Sequence, residues 1–247
     1  MNARTALSRA ESLALFLDVD GTLLEIASTP DRVRVPASLR NTLRLAFEHQ
    51  RGALALLSGR SLEDLDELFG CSDFPASGKR GLEVRLPSGE VIRPELDSSA
   101  LDHARHWLRI FQQQHRGLLL EDKGSALAVH YRLAPKLGPE VEFAMGEMLV
   151  ELGDAFVMRQ GKCVYELMPR GFDERTAIHR LMQEPVFAGR APVFVGDDPS
   201  DEVGFQAVND LGGHSIRVGD LEATSARHRF SSVSTVTAWL RNRNLNR

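Results

Sequence analysis

The chain of 247 residues has only two cysteines. Cys71 and Cys163 lie far apart and in no ligand spacing, so neither a disulfide framework nor a zinc site is expected. Charge of one sign is nowhere concentrated: the formal net charge is -4, and the arginines are scattered. That balance argues against a general nucleic-acid or anionic-membrane surface, while leaving room for a small local phosphate pocket. A long apolar run is missing too. The N-terminal MNARTALSRAES is polar, and the apolar run after it is short and ends in aspartate, so neither a signal peptide nor a transmembrane span is expected. No internal repeat and no low-complexity tract stands out. These exclusions leave the expectation of a soluble, cytoplasmic protein of a reducing compartment. With 43% hydrophobic residues it can build one large domain, or a core with a smaller companion.

What is present is a rhythm of strands and helices that changes twice. Residues 14–20 (ALFLDVD) read as a strand, and 36–50 as a helix opened by proline. Residues 53–59 (ALALLSG) read as a buried strand, and 61–69 as a short helix with Ser61 as N-cap. From 81 the pattern becomes antiparallel. Hairpins are expected at 81–96, 117–132 and 155–169, with helices at about 98–115 and 137–151 between them. From 173 the first rhythm returns: a helix, a strand at 191–198, a helix, a strand at 213–219 and a C-terminal amphipathic helix. The sequence thus predicts an α/β fold with a parallel-sheet core from residues 1–80 and 170–247. An antiparallel α+β module, 81–169, is inserted between the two pieces.

The chemistry-bearing residues fall at the predicted strand ends. In LALFLDVDGTLLE (13–25) a buried strand delivers Asp18 and Asp20 at its tip, although an unpaired buried carboxylate is costly. Side chains alternate along a strand, so the two point the same way if extension persists. Such a pair suits a divalent cation, or a division of labour between nucleophile and acid/base. Gly21 permits the sharp exit and Thr22 offers a hydroxyl. In open parallel sheets, ligands bind outside the carboxyl ends of the strands. There, Ser58 and Gly59 of LLSGR offer a hydroxyl and amides to a phosphoryl oxygen. Asp197, Asp198 and Asp201 of VFVGDDPSDE add more carboxylates. Clustered carboxylates repel unless a cation joins them, and magnesium prefers hard oxygen donors.

In this order DVDGTLL, SGR and GDDPSDE resemble the motifs of the haloacid dehalogenase superfamily of phosphatases. More narrowly, EDKGSALAVHYR (121–132), YELMPRG (165–171) and VFVGDDPSDEVGF (193–205) resemble the trehalose-6-phosphate phosphatase family over nearly the whole chain. The resemblance implies a Rossmann-like parallel-sheet core of the haloacid dehalogenase type, with the inserted module as an α/β cap. It implies magnesium held by Asp18, Asp20 (through its carbonyl) and Asp197, with Asp198 beside them. Asp18 would be the nucleophile and Asp20 the acid/base, with crowding by its neighbours favouring its protonated form. Thr22, Ser58 and Gly59 would bind phosphate. Arg80, Glu83, Glu121, Lys123, His130, Arg132 and Glu166 would face a sugar phosphate, and pairing with a trehalose-6-phosphate synthase is implied.

Two positions depart from the family pattern. Glu174 stands where PRGxxKGxA carries a lysine, with Arg175 next to it as a substitute phosphate ligand that helical geometry turns about 100° away. Asp173 suits an N-cap there, and Glu174 a first helical turn. Arg80 stands where GxHGxE carries histidine. The arginine keeps other sugar phosphates, such as sucrose 6-phosphate, in play as substrates. The glutamate raises the reading of an impaired relative that binds a sugar phosphate without turning it over.

Overall fold

The computed structural model describes residues 12–26, 33–93, 98–220 and 223–245. Two compact units emerge: one takes the chain up to 93 and again from 173, the other 94–172. In the first unit the parallel strands are β1 (Leu13–Asp18), β2 (Leu54–Leu57) and β3 (Ala76–Gly78). β4 (Glu83–Arg85) and β5 (Val91–Ile92) follow, both antiparallel. The helices are α1 (Ala37–His49) and α2 (Leu62–Phe69). The second unit supplies α3 (Asp102–Gln114), β6 (Leu119–Asp122), β7 (Leu127–His130), α4 (Gly138–Leu152), β8 (Phe156–Gly161) and β9 (Val164–Pro169). The core resumes with α5 (Glu174–Met182), β10 (Ala191–Gly196), α6 (Glu202–Asp210), β11 (His214–Val218), β12 (His228–Phe230) and α7 (Val233–Leu245).

Among the described residues the core sheet runs β12-β11-β10-β1-β2-β3-β4-β5. Alternation along β1 explains why it lies inside. Leu13, Leu15 and Leu17 pack with Leu39 and Leu43 of α1, Leu65 of α2 and Trp239 of α7. Ala14 and Phe16 face the other way, toward Ile178 and Leu181 of α5 and Phe205 of α6. A strand covered on both faces reads as one apolar run, and its first polar side chain marks the sheet edge.

Of the hairpin predicted at 81–96, residues 94–96 lie outside the described residues; the rest forms a hairpin, but it does not open the inserted unit. β4 pairs antiparallel with β3 and β5 with β4, which extends the core sheet and moves the boundary from 81 to 94. An alternating pattern announces a hairpin without saying which edge it will pair with. The sequence reading also passed over β3 and β12, each three residues long.

In the inserted unit the sheet runs β6-β7-β9-β8. Leu127, Val129, Tyr165 and Leu167 join Leu108 of α3 and Val141 and Met145 of α4 in one apolar cluster. The other face carries the polar side chains. Among the described residues no helix is long and apolar enough to cross a membrane.

Candidate active site

β1 and β10 lie side by side in parallel register, Leu17 beside Val195, so Asp18 and Asp197 emerge from adjacent tips. Gly21 makes the approach possible. Its φ is 95°, and a Cβ there would overlap the Asp197 carboxylate. Asp201 completes a trio: one carboxylate oxygen from each of Asp18, Asp197 and Asp201 lies within 4.8 Å of the others. Asp18 Oδ2 and Thr22 Oγ1 are buried with no hydrogen-bond partner. Burial, and then the charges of Asp201, Asp197 and Asp20, push the Asp18 carboxyl well above its ordinary range. Burial first, then Asp198 and Glu174, push Asp201 the same way.

The loop after β10 is tied from within. Asp201 Oδ2 accepts the N–H groups of Asp197 (2.7 Å) and Asp198 (2.8 Å). From β11 the fully buried Arg217 donates to the Asp197 carbonyl at 2.6 Å and pairs with Glu202 at 3.0 Å. Asp198, expected beside the magnesium ligands, is engaged within this loop. Its Oδ1 accepts the Ser200 N–H at 2.9 Å and caps the short turn Pro199–Asp201, and Asp201, the neighbour three residues on, joins the trio instead.

Asp20 differs from expectation. Its carboxylate, whose charge acts on Asp18, is gripped by Arg60, with Nε to Oδ2 at 2.7 Å and Nη2 to Oδ1 at 2.8 Å. Ser58, at the tip of β2, is buried, and its hydroxyl accepts the Arg60 N–H at 3.2 Å.

Residues 16–234 match the trehalose-phosphatase family. The chain belongs to that family. The trehalose-6-phosphate phosphatase of Escherichia coli is 40% identical over 227 residues, covering 92% of this chain and 85% of its own. A probable trehalose-phosphate phosphatase of Sinorhizobium fredii is 41% identical over 209 residues, covering 85% and 78%. The fold is of the haloacid dehalogenase type. It superimposes on the C-terminal domain of the C. albicans trehalose-6-phosphate phosphatase with a TM-score of 0.85, at 21% identity and 98% and 97% coverage.

Membership of a phosphatase family of this type implies a divalent metal, and the donors fit one. Asp18, Asp197 and Asp201 offer only hard oxygen. Burial first, and then neighbouring acids, raise the Asp18 and Asp201 carboxyls, and a bound cation relieves the repulsion among them.

The remaining predicted residues divide. Arg175 is not at the site: its guanidinium reaches Asp210 at 3.0 Å and Gln206 at 3.2 Å on α6, as its helical offset from Glu174 dictates. Glu83 is taken up within the core, because β4 turns it toward α2. It accepts the Leu62 N–H at 3.0 Å and meets Lys79 at 3.0 Å and Arg93 at 3.3 Å. Arg80 reaches Ser200 and lies 3.5 Å from Glu174.

In the inserted unit the register places Ala128 between Glu121 and Glu166, and Glu166 opposite Arg159. Cross-strand partners share a face, and so do residues two apart. Glu121, Lys123, His130, Arg159 and Glu166 therefore line one polar face. Lys123 meets Glu166 at 2.8 Å with both side chains nearly buried, and His130 meets Glu121 at 2.8 Å. Arg132 instead donates to the Lys162 carbonyl at 2.8 Å.

The sequence reading missed Arg60, Arg217 and Arg159. Arg60 stands in the SGR motif itself, and a carboxylate with no local cation was the available signal. For Arg217 the signal was an arginine inside a predicted buried strand.

Proposed function

We propose that the protein is a magnesium-dependent phosphatase that hydrolyses trehalose 6-phosphate to trehalose and inorganic phosphate. The observation that carries this reading is the Asp18–Asp197–Asp201 trio, half-buried at Asp18 and buried at the other two, in a chain of the trehalose-phosphatase family. In it, Asp18 Oδ2 attacks phosphorus in line; the bond from phosphorus to the sugar oxygen breaks and an aspartyl-phosphate forms. Asp20 gives a proton to the leaving oxygen. It then takes one from the water that attacks phosphorus and frees the Asp18 carboxylate. Both steps require Asp20 to exchange Arg60 for the reacting oxygens, so the bidentate pair is the resting arrangement.

Asp18, Asp197 and the Asp20 carbonyl would hold magnesium, with Asp201 behind them. When bound, it neutralises phosphate charge as the bond breaks. The Thr22 and Ser58 hydroxyls and the Gly59 amide would receive phosphate oxygens. On the polar face of the inserted sheet, Glu121 and Glu166 would accept from sugar hydroxyls, and Lys123, His130 and Arg159 would donate; Arg132 would join them by releasing the Lys162 carbonyl. That unit, 94–172, would then serve as the cap. Such a substrate arises by glycosyl transfer, so a trehalose-6-phosphate synthase is the functional partner this reading implies. A reducing, cytoplasmic setting suits the two free cysteines.

The test is phosphate release from trehalose, sucrose and glucose 6-phosphates, with and without magnesium. Magnesium-dependent release strongly favouring trehalose 6-phosphate is expected. Preference for another member of the panel would reassign the substrate. Binding without release would favour the impaired relative.

A further inference from the structure

The two positions that depart from the family pattern, Arg80 and Glu174, are 94 residues apart in sequence and adjacent in space. Arg80 sits on a strained stretch of backbone. Lys79, Arg80 and Gly81 have φ of 48°, 54° and 96°, and side-chain-bearing residues seldom enter that region. The surroundings hold it there. The Lys79 N–H donates to the Arg60 carbonyl at 2.7 Å and the Arg80 N–H to the Ser58 carbonyl at 3.0 Å. On the other side, a Cβ at Gly81 would lie 2.6 Å from the Asp173 carbonyl oxygen, so only glycine lets the turn press against the start of α5. The turn is wedged between the phosphate-facing loop after β2 and the first residues of α5.

This wedge aims the Arg80 side chain. Its guanidinium lies over Gly59, with Cζ 3.8 Å from where a Cβ on that residue would sit. Nη1 bonds the Ser200 hydroxyl and lies 3.5 Å from Glu174 Oε1. The arginine side chain is 14% exposed and the glutamate 9%. A largely buried cation is thus held where the loops after β2 and β10 meet, on Ser200, the chain neighbour of Asp201. Arg175, the other cation near the departed lysine position, is engaged on α6.

We propose that Arg80 is a catalytic residue that binds the transferring phosphoryl oxygens in place of the lysine expected at 174, with Glu174 as its positioning partner. The assignment rests on the phosphatase reading above. A guanidinium fork matches two phosphoryl oxygens at once, which an ammonium cannot do. It acts where negative charge gathers in the transition state and water is scarce. Glu174 fixes the fork and offsets its charge between turnovers. The two departures then form one exchange: the cation has moved from α5 to the turn after β3, and a carboxylate has taken its former place to hold it.

The test uses the full chain with magnesium, trehalose 6-phosphate as substrate, and orthovanadate as a phosphoryl mimic. Arg80→Gln is expected to lower kcat about 100-fold with a smaller change in KM, and to weaken vanadate binding. Arg80→Lys, which keeps the charge but not the fork, should fall between that variant and the wild type, and serves should Arg80→Gln fail to fold. The double variant Arg80→Gln/Glu174→Gln separates the roles. It stays slow if Arg80 touches phosphate, and returns to the wild-type rate if Arg80 only neutralises Glu174. Glu174→Lys alone should lose activity, because it sets a second cation against Arg80, whereas Arg80→His/Glu174→Lys should regain most of it. Wild-type kcat and vanadate affinity in folded Arg80→Gln, or recovery in the double glutamine variant, would overturn the assignment. A wild type that binds vanadate yet spares trehalose 6-phosphate overturns the substrate reading instead, and vanadate binding by Arg80→Gln still decides this one.

Discussion

At the core strand tips Asp18, Asp197 and Asp201 bring carboxylate oxygens within 4.8 Å of one another. In the inserted sheet each acidic side chain of the polar strands meets a partner instead. Glu166 meets Lys123 at 2.8 Å, Glu121 meets His130 at 2.8 Å, and Asp122 meets Arg105 at 2.7 Å. The electrostatic consequences are opposite. Burial and neighbouring acids raise the Asp18 carboxyl. Burial acts upward on Asp122 too, but Arg105, the Gly124 N–H and Arg109 together outweigh it and the carboxyl is lowered. The inserted sheet pairs its acidic side chains within its own unit, whereas the core trio brings carboxylates together in a donor set that fits a cation. On the proposed function, chemistry belongs to the core strand tips and recognition to the inserted sheet.

The sharpest way to break this comparison is to remove one member of the trio. Asp18→Asn is expected to lower kcat by at least about 10⁴-fold, the scale on which a nucleophile's loss is felt. The fold should remain, because the amide relieves repulsion and breaks no ion pair. Magnesium-dependent turnover near the wild-type rate, with an unchanged circular dichroism spectrum, would remove Asp18 from the nucleophile's place.

Much of the core side of the contrast was legible in sequence, because it depends on local pattern. An apolar strand running into Asp18-Val19-Asp20-Gly21, and another into Asp197, place carboxylates at a sheet edge with no knowledge of the rest of the chain. Asp173 was likewise readable as the cap of α5, and the structure has its side chain accepting the Thr176 N–H at 2.9 Å. What stayed hidden depends on partners distant in sequence. The fork of Arg60 on Asp20 spans 40 residues and the meeting of Arg80 with Glu174 spans 94. Asp198 and Asp201 are three apart and alike in composition, and backbone hydrogen bonds alone decide which caps the turn and which joins the trio. The edge hairpin of β4 and β5 was visible as a hairpin, but its allegiance was not, since only the ladder to β3 assigns it to the core.

A second test imposes the core condition on the inserted sheet. Lys123→Met removes the 2.8 Å partner of the buried Glu166, and breaking a buried pair from one side costs about 3–5 kcal/mol. Urea unfolding followed through this unit should show a loss of that size. Lys123→Met/Glu166→Leu should recover most of it, because two apolar side chains need no partner. A single-variant loss under about 1 kcal/mol, the range of an exposed pair, would mean that Glu166 does not depend on Lys123.

The smallest effect concerns the trio itself and reads the sign of its charge. A carboxyl whose pKa is raised on folding contributes stability below its unfolded value, near 3.8 for Asp18. That contribution is lost as pH rises through the folded value. Asp122, lowered on folding, behaves oppositely and loses its contribution on acidification, so the whole-protein curve mixes both trends. Comparing metal-free wild type with Asp18→Asn isolates the first. The variant's stability advantage should be small near pH 4 and grow toward neutrality. Magnesium at 100 times its dissociation constant should then stabilise the wild type at pH 7 by about 2.7 kcal/mol, and Asp197→Asn should abolish the response. An advantage that shrinks with rising pH would mean that Asp18 already has an internal countercharge, and the core tips would then pair their acids as the inserted sheet does.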